Sequence, residues 1–237
     1  MPDKSSASQS DSLSVPWSDA VRFVRQLSHD LRNDLNAIEL ESAYIAELTQ
    51  DQELQSEIKR LREATSGLNS TLQRLSKAVG EVTPNMISYR ADEFLADMRT
   101  EIGRKFSNKN DEINWNVQLR DVMLHVDPQL LQEVFVELFA NAFRHNRGNG
   151  PLLARAEISG HRFLFALHEP KQGFDSATQN WGREPFRHVS QRHYGLGLSR
   201  VRAIVEAHGG KLQAEYDSKA SRLITMLILP ASSADNA

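Results

Sequence analysis

There is no cysteine in this sequence, which excludes disulfides and thiolate metal sites. No apolar run approaches the ~20 residues a helix needs to span a bilayer; the longest lies around Leu223 to Leu229. Charge of neither sign dominates: 28 basic and 31 acidic residues leave a formal net charge of −3. No basic run is dense enough for a nucleic-acid face, so neither nucleic acid nor direct membrane insertion is expected. The HRD and DFG signatures of serine/threonine kinases and the H-E-x-x-H of zinc hydrolases are missing. No repeat is visible, and low complexity is confined to the serine-rich opening MPDKSSASQSDSLS, which lacks a signal-peptide apolar core. Residues 1–16 read as a disordered tail, and the chain as soluble and cytoplasmic.

What is present divides in two, and 237 residues are enough for two small domains. From Val21 the apolar positions Val24, Leu31, Leu35, Ile38 and Ile45 fall three and four apart, once Ser28 and Ser42 are allowed at seam positions. This predicts a helix from Trp17 to Leu48. A second run, Leu54, Ile58, Leu61, Thr65, Leu68, Leu72, Leu75 and Val79, keeps the same beat. The connection TQDQ is so short that the two helices must lie antiparallel. One hairpin cannot bury both stripes, so residues 17–80 are expected to pair with a second copy as a homodimeric four-helix bundle. Gly80 to Pro84 breaks the pattern and marks a boundary.

Residues 85–231 read as mixed α/β, with 232–237 as a C-terminal tail. Helical patterns occupy Asp92 to Phe106, Pro128 to His145 and Leu198 to His208. Strand patterns occupy Ile113 to Leu119, Leu152 to Ser159, Arg162 to His168, Leu212 to Tyr216 and Arg222 to Leu229. SGHR and DSKA look like hairpin turns, favouring an α+β fold with helices on one face of a mixed sheet. The aperiodic stretch from Gly173 to Gly195 has the length of a lid.

Three stretches could carry chemistry. In LSHDLRNDLNAI (27–38), His29 sits one residue past a seam position and Asn33 one turn further along the same face. A solvated polar face explains both. The alternative is that Asp30 accepts from one ring nitrogen and leaves the other as a nucleophile near neutral pH. In VDPQLLQEVFVELFANAFRHN (126–146), Glu137 and Asn141 share a helix face at a spacing suited to oxygen ligation of Mg²⁺, although polar residues near a helix end need no ion. In HYGLGLSRVRAIVEAHGGKL (193–212), two glycines precede a helix, where backbone N–H groups can approach a phosphate; Gly-x-Gly is also common in turns. Gly209 and Gly210 serve as that helix's stop.

Taken in order, these stretches resemble the transmitter region of bacterial two-component sensor histidine kinases, over about Ala20 to Pro230. SHDLRNDLNAI looks like the family's H-box, ELFANAFRHN its N-box, REPFRHVS (183–190, with Glu184, Pro185 and Phe186) its F-box, and YGLGLSRVRAIVEAHGGKL its second glycine box. The terminal LITMLILP matches where the family closes. The resemblance implies a dimerising phosphotransfer hairpin followed by an α/β-sandwich of the histidine kinase ATPase type, shared with gyrase and Hsp90.

It also implies site roles. His29 would take the γ-phosphoryl group of ATP, with Asp30 as its acid/base partner and Asn33 assisting water in dephosphorylating a receiver domain. Asn141, with Glu137 beside it, would hold Mg²⁺. Arg144 and His145 would lie near the phosphates, which Gly195, Leu196 and Gly197 would cradle. Implied partners are a response regulator and, for the signal, a separate sensor protein, the tail or a region outside this chain. Because nucleotide and histidine lie on different domains, the segment near Gly80 to Pro84 is expected to move.

The sequence also departs from the family pattern. In HEPKQGF, Glu169 stands for the adenine-binding Asp of the first glycine box, Lys171 for its first glycine, and only Gly173 is kept. Lysine there is expected to fill the adenine pocket or to strain the backbone. His193 replaces a glycine, and Asp34 the proline that kinks the H-box helix. Three functions therefore stand open: a histidine kinase; a histidine phosphotransferase or receiver phosphatase that has lost ATP binding; and a non-catalytic docking module, for which Asp30 and Asn33 would be unnecessary.

Overall fold

The computed structural model describes residues 16–144, 147–174, 178, 181–183 and 195–233. The chain divides into two compact units, one ending at Gly80 and the other beginning at Glu81.

In the first unit, α1 (Trp17–Leu48) and α2 (Gln52–Val79) form a helical hairpin. Asp51 caps α2, accepting from the backbone N–H groups of Glu53 at 2.8 Å and Leu54 at 3.3 Å, so the turn is written into the connection itself. With aspartate at position 34, α1 runs on through Asp34 without interruption. The buried positions recur every seven residues: Ser28, Leu35 and Ser42 on α1, Ile58 and Thr65 on α2. Two of these hydroxyls return a bond to their own helix, Ser42 to Glu39 O at 2.9 Å and Thr65 to Leu61 O at 3.0 Å. The structure refines the predicted seam. Leu31, Ile38 and Ile45, and across the hairpin Leu54, Leu61 and Leu68, also repeat every seven residues but are 39–58% exposed. Each helix has one neighbour within the hairpin, so only half of the apolar pattern finds cover.

The second unit has two sheets. Strands β1 (Ile87–Arg90), β3 (Val122–Val126) and β8 (Ser232–Ser233) form the smaller, in the order β1-β3-β8. The larger runs β2-β4-β5-β7-β6, from β2 (Ile113–Gln118), β4 (Leu152–Ser159), β5 (Arg162–Pro170), β6 (Lys211–Asp217) and β7 (Arg222–Pro230). β4 and β5, and β6 and β7, are the antiparallel hairpins their turns predicted, and β2 joins β4 in parallel. Helices α3 (Ala91–Lys105), α4 (Pro128–Arg144) and α5 (Gly197–Ala207) supply the other half of the core. β7 alternates strictly, Leu223, Thr225, Leu227 and Leu229 being buried, which is the signature of a sheet covered on one face. Phe135 and Phe165 meet at 4.6 Å between ring centroids in the middle of this layer.

Three elements depart from what the sequence predicts. β1 and β3 were not predicted, because four- and five-residue strands leave too little periodicity to detect. Ser232 and Ser233 lie in the expected tail but pair with Met123 and Val122, their backbones completing the small sheet.

A buried clamp sets where α4 begins. Asp127 accepts from the N–H groups of Gln129 and Leu130, both at 3.0 Å, and from Asn85 N–H at 2.8 Å. His208, just past α5, accepts from the Asp127 N–H at 3.0 Å through Nε2, and its Nδ1 donates to Ile204 O at 2.7 Å. The start of α4 and the end of α5 are thereby fastened together.

Candidate functional site

His29 and Asp30 project from α1 into solvent, their side chains 66% and 58% exposed. His29 Nδ1 lies 3.2 Å from Asp30 Oδ1. An ionised carboxylate only accepts, so this bond requires the proton on Nδ1, and in the neutral ring that leaves the lone pair on Nε2. Asp30 is well suited to remain ionised: the bond with His29, and after it the one with Gln26, holds its carboxyl below the usual range. Gln26 Nε2 spans both Asp30 oxygens, at 2.9 and 3.1 Å. The sequence reading did not name Gln26; its position four residues before Asp30 is the signal that was there to use. Asn33, one turn beyond His29, is likewise exposed.

In the second unit, α4 and the start of α5 bring several of the expected residues together. Gly195 has φ +64°, a conformation that favours glycine, and lets the chain turn into α5 through the buried Leu196. Gly197 then faces Glu137 so closely that a Cβ on it would lie 2.0 Å from the Glu137 carboxylate. The side chains of Asn141 and Glu137 are hydrogen-bonded, and Arg144 acts on Glu137 through its charge. Burial nonetheless pushes the Glu137 carboxyl above its ordinary range, these two neighbours opposing it. His145, Glu184, Pro185, Phe186 and His193 lie outside the described residues.

At the end of β5 the expected adenine end takes a different form. Glu169 Oε1 and Lys171 Nζ form an ion pair of 2.7 Å, with side chains only 9% and 6% exposed. Burial raises the Glu169 carboxyl to about 7, against the opposing bond and charge of Lys171 and the charge of Arg147. The backbone strain anticipated at Lys171 is not found: Ser221 is the one non-glycine with positive φ among the described residues. Lys171 fills space with its side chain instead. Gly173, the retained glycine, is exposed, with open space around it.

Among the described residues no group of three or more His, Asp or Glu side chains could hold a metal ion. Glu137 and Asn141, hydrogen-bonded to each other, are the oxygen-bearing side chains that α4 brings to Gly197. No helix among the described residues is long and apolar enough to cross a membrane.

Residues 126–232, which carry α4, β5, α5 and the glycine turn between them, match the family model of the histidine kinase-, DNA gyrase B-, and HSP90-like ATPase. The match lies wholly within the second unit. With the helical hairpin ahead of it, the chain has the make-up of a two-component histidine kinase transmitter region. It is 26% identical over 206 residues to the Sensor protein KdpD of Clostridium acetobutylicum, across 81% of this chain and 23% of that protein. The chain spans between 21% and 54% of the length of eight curated relatives it matches. Among solved structures, full-length ShkA in complex with AMPPNP superposes with a TM-score of 0.66 at 19% identity, over 90% of this chain and 46% of that one. Histidine kinase ThkA in complex with the response regulator protein TrrA gives a TM-score of 0.55 at 16% identity, over 94% and 66%. At these identities the structural likeness establishes the transmitter fold.

Proposed function

We propose that this transmitter region moves phosphoryl groups through His29, receiving one from ATP and passing it to an aspartate of a response regulator receiver domain. The single observation that carries this reading is the His29–Asp30 pair, exposed and oriented so that Nε2 is free to attack. ATP would supply the phosphoryl group. A bond forms between Nε2 and phosphorus as the bond from phosphorus to the leaving ADP oxygen breaks. The ring becomes cationic on attack, and ionised Asp30 stabilises the Nδ1–H and can take its proton. Asn33, one turn away, would orient water for hydrolysis of the receiver's aspartyl phosphate. In the second unit the start of α5 at Gly195, Leu196 and Gly197 would hold the phosphates, with Arg144 offsetting their charge; Asn141 and Glu137 would hold Mg²⁺.

The uncovered heptad stripe, Leu31, Ile38, Ile45, Leu54, Leu61 and Leu68, supports a homodimer in which two hairpins form a four-helix bundle. A second reading keeps this scaffold as a histidine phosphotransferase or receiver phosphatase with impaired ATP binding, and the buried Glu169–Lys171 pair favours it. Thermal stabilisation by ATP with Mg²⁺ separates the two. A ligand bound only by the folded chain raises its stability, so a rise supports the kinase and its absence supports the second reading.

A further inference from the structure

The Glu169–Lys171 pair does not sit on a loose loop. Pro170 ends β5 within the ladder, paired with Arg222, and its carbonyl accepts from Gly148 N–H at 2.7 Å. The next residue is held on both sides: Lys171 N–H donates to Ser221 O at 2.8 Å, and Lys171 O accepts from Tyr216 OH at 3.3 Å. Beyond it, Phe174 stacks against Tyr216 at 5.9 Å and Trp181 at 5.7 Å between centroids. The ammonium is thus directed at Glu169 by a backbone with little freedom to swing it away. Both partners are removed from water, where their attraction is screened least.

We infer that Lys171 is an internal occupant of the base-recognition end of the nucleotide site, taking the place on Glu169 that a base's amino group would otherwise fill. This rests on the reading of the second unit as a nucleotide site. A carboxylate can recognise a purine amine only by accepting its hydrogen. Here Glu169 Oε1 is already ion-paired with Lys171 Nζ at 2.7 Å, which leaves no room for a base edge between the two groups. Binding a base there means opening a buried ion pair, which takes the carboxylate away from a buried ammonium. The phosphate end differs: the cations that act on Glu137 there, Arg144 and Lys105, carry the charge that phosphates attract. The physical consequence is a division of labour. Triphosphate contacts hold the ligand, the base adds little, and Lys171 sets how weakly the unaltered chain takes ATP.

The test is calorimetric titration of the full chain with Mg²⁺-ATP, Mg²⁺-GTP and Mg²⁺-tripolyphosphate, beside Lys171→Gly, Lys171→Met and the double variant Glu169→Asp with Lys171→Gly. Lys171→Met keeps the bulk and removes the charge, and circular dichroism confirms that each variant is folded. The expected result is that the unaltered chain binds ATP and GTP within about fivefold of tripolyphosphate. The double variant should bind ATP at least about tenfold more tightly, with its tripolyphosphate affinity unchanged. If the unaltered chain already binds ATP tenfold or more tightly than GTP and tripolyphosphate, or if the folded double variant gains nothing for ATP while still binding tripolyphosphate, the assignment of Lys171 is overturned. If no variant binds tripolyphosphate, the nucleotide-site reading fails first, and the inference falls with it.

Discussion

His29 Nδ1 and Asp30 Oδ1 lie 3.2 Å apart, and Gln26 spans both oxygens of the same carboxylate. The imidazole is thus held by a neighbour that is itself held, all on one exposed helix face. Asp30→Asn should lower the initial rate of His29 phosphorylation by about 10²- to 10⁴-fold, the range for a lost acid/base partner. Gln26→Ala should lower it only several-fold. Neither group is buried, so thermal unfolding should be unchanged in both variants. A rate in Asp30→Asn within twofold of the unaltered chain would remove Asp30 from the chemistry.

Glu137 and Gly197 meet where α4 passes the start of α5. An alanine at 197 would place its Cβ 2.0 Å from Glu137 Oε1, so the carboxylate must swing away. Because the clashing atom is the far end of a flexible side chain, the fold should tolerate Gly197→Ala with a stability change under about 1 kcal/mol. Phosphorylation should nonetheless fall by on the order of 10²-fold, as expected when a positioning group is displaced by about 1 Å. Parallel urea denaturation and phosphorylation assays check both halves; activity retained in a stable variant would show that Glu137 has no part in the site.

The exposed stripe on the hairpin makes a prediction about assembly. Leu61→Lys and Ile38→Asp place charge in the middle of two seven-residue repeats that the hairpin leaves uncovered. Sedimentation velocity should show a dimer for the unaltered chain and a monomer for either variant. A monomeric unaltered chain at tens of micromolar would contradict the bundle.

Glu169 should leave a mark on the pH dependence of stability. Its carboxyl titrates near 7 in the folded chain and near the ordinary 4.5 when unfolded, so between these values the folded state keeps a proton the unfolded state has lost. Stability therefore falls as pH rises through that window, by at most about 3 kcal/mol at ~1.4 kcal/mol per unit. Melting temperatures measured from pH 4.5 to 8 should decline for the unaltered chain relative to Glu169→Gln, whose amide does not titrate. Parallel curves would show that burial does not perturb Glu169 in this way.

Much of this architecture was legible in the sequence because its periodicities are long. The heptads of α1 and α2, the stripe of α4 and the alternation of β7 each repeat often enough to identify an element. The short strands β1 and β3 do not, and β8 depends on backbone pairing at Met123 and Val122 rather than on any side-chain pattern. The site was legible as a set of residue types but not as a geometry. His29 beside Asp30 could be read from adjacency. That Gln26 braces Asp30 needed side-chain rotamers, and that Lys171 turns onto Glu169 needed the sheet that clamps its backbone. The division of the apolar stripe into a buried and an uncovered half is likewise a property of packing, since both halves share one sequence pattern.

The central claim is that His29 carries the phosphoryl group. The most direct measurement is incubation of the full chain, His29→Ala and the Glu169→Asp with Lys171→Gly double variant with γ-labelled ATP and Mg²⁺, followed by an acid-lability test of retained label. The account predicts acid-labile label on the chains that keep His29, more on the double variant, and none on His29→Ala. Label retained by His29→Ala, acid-stable label, or no label on either chain that keeps His29 would contradict it.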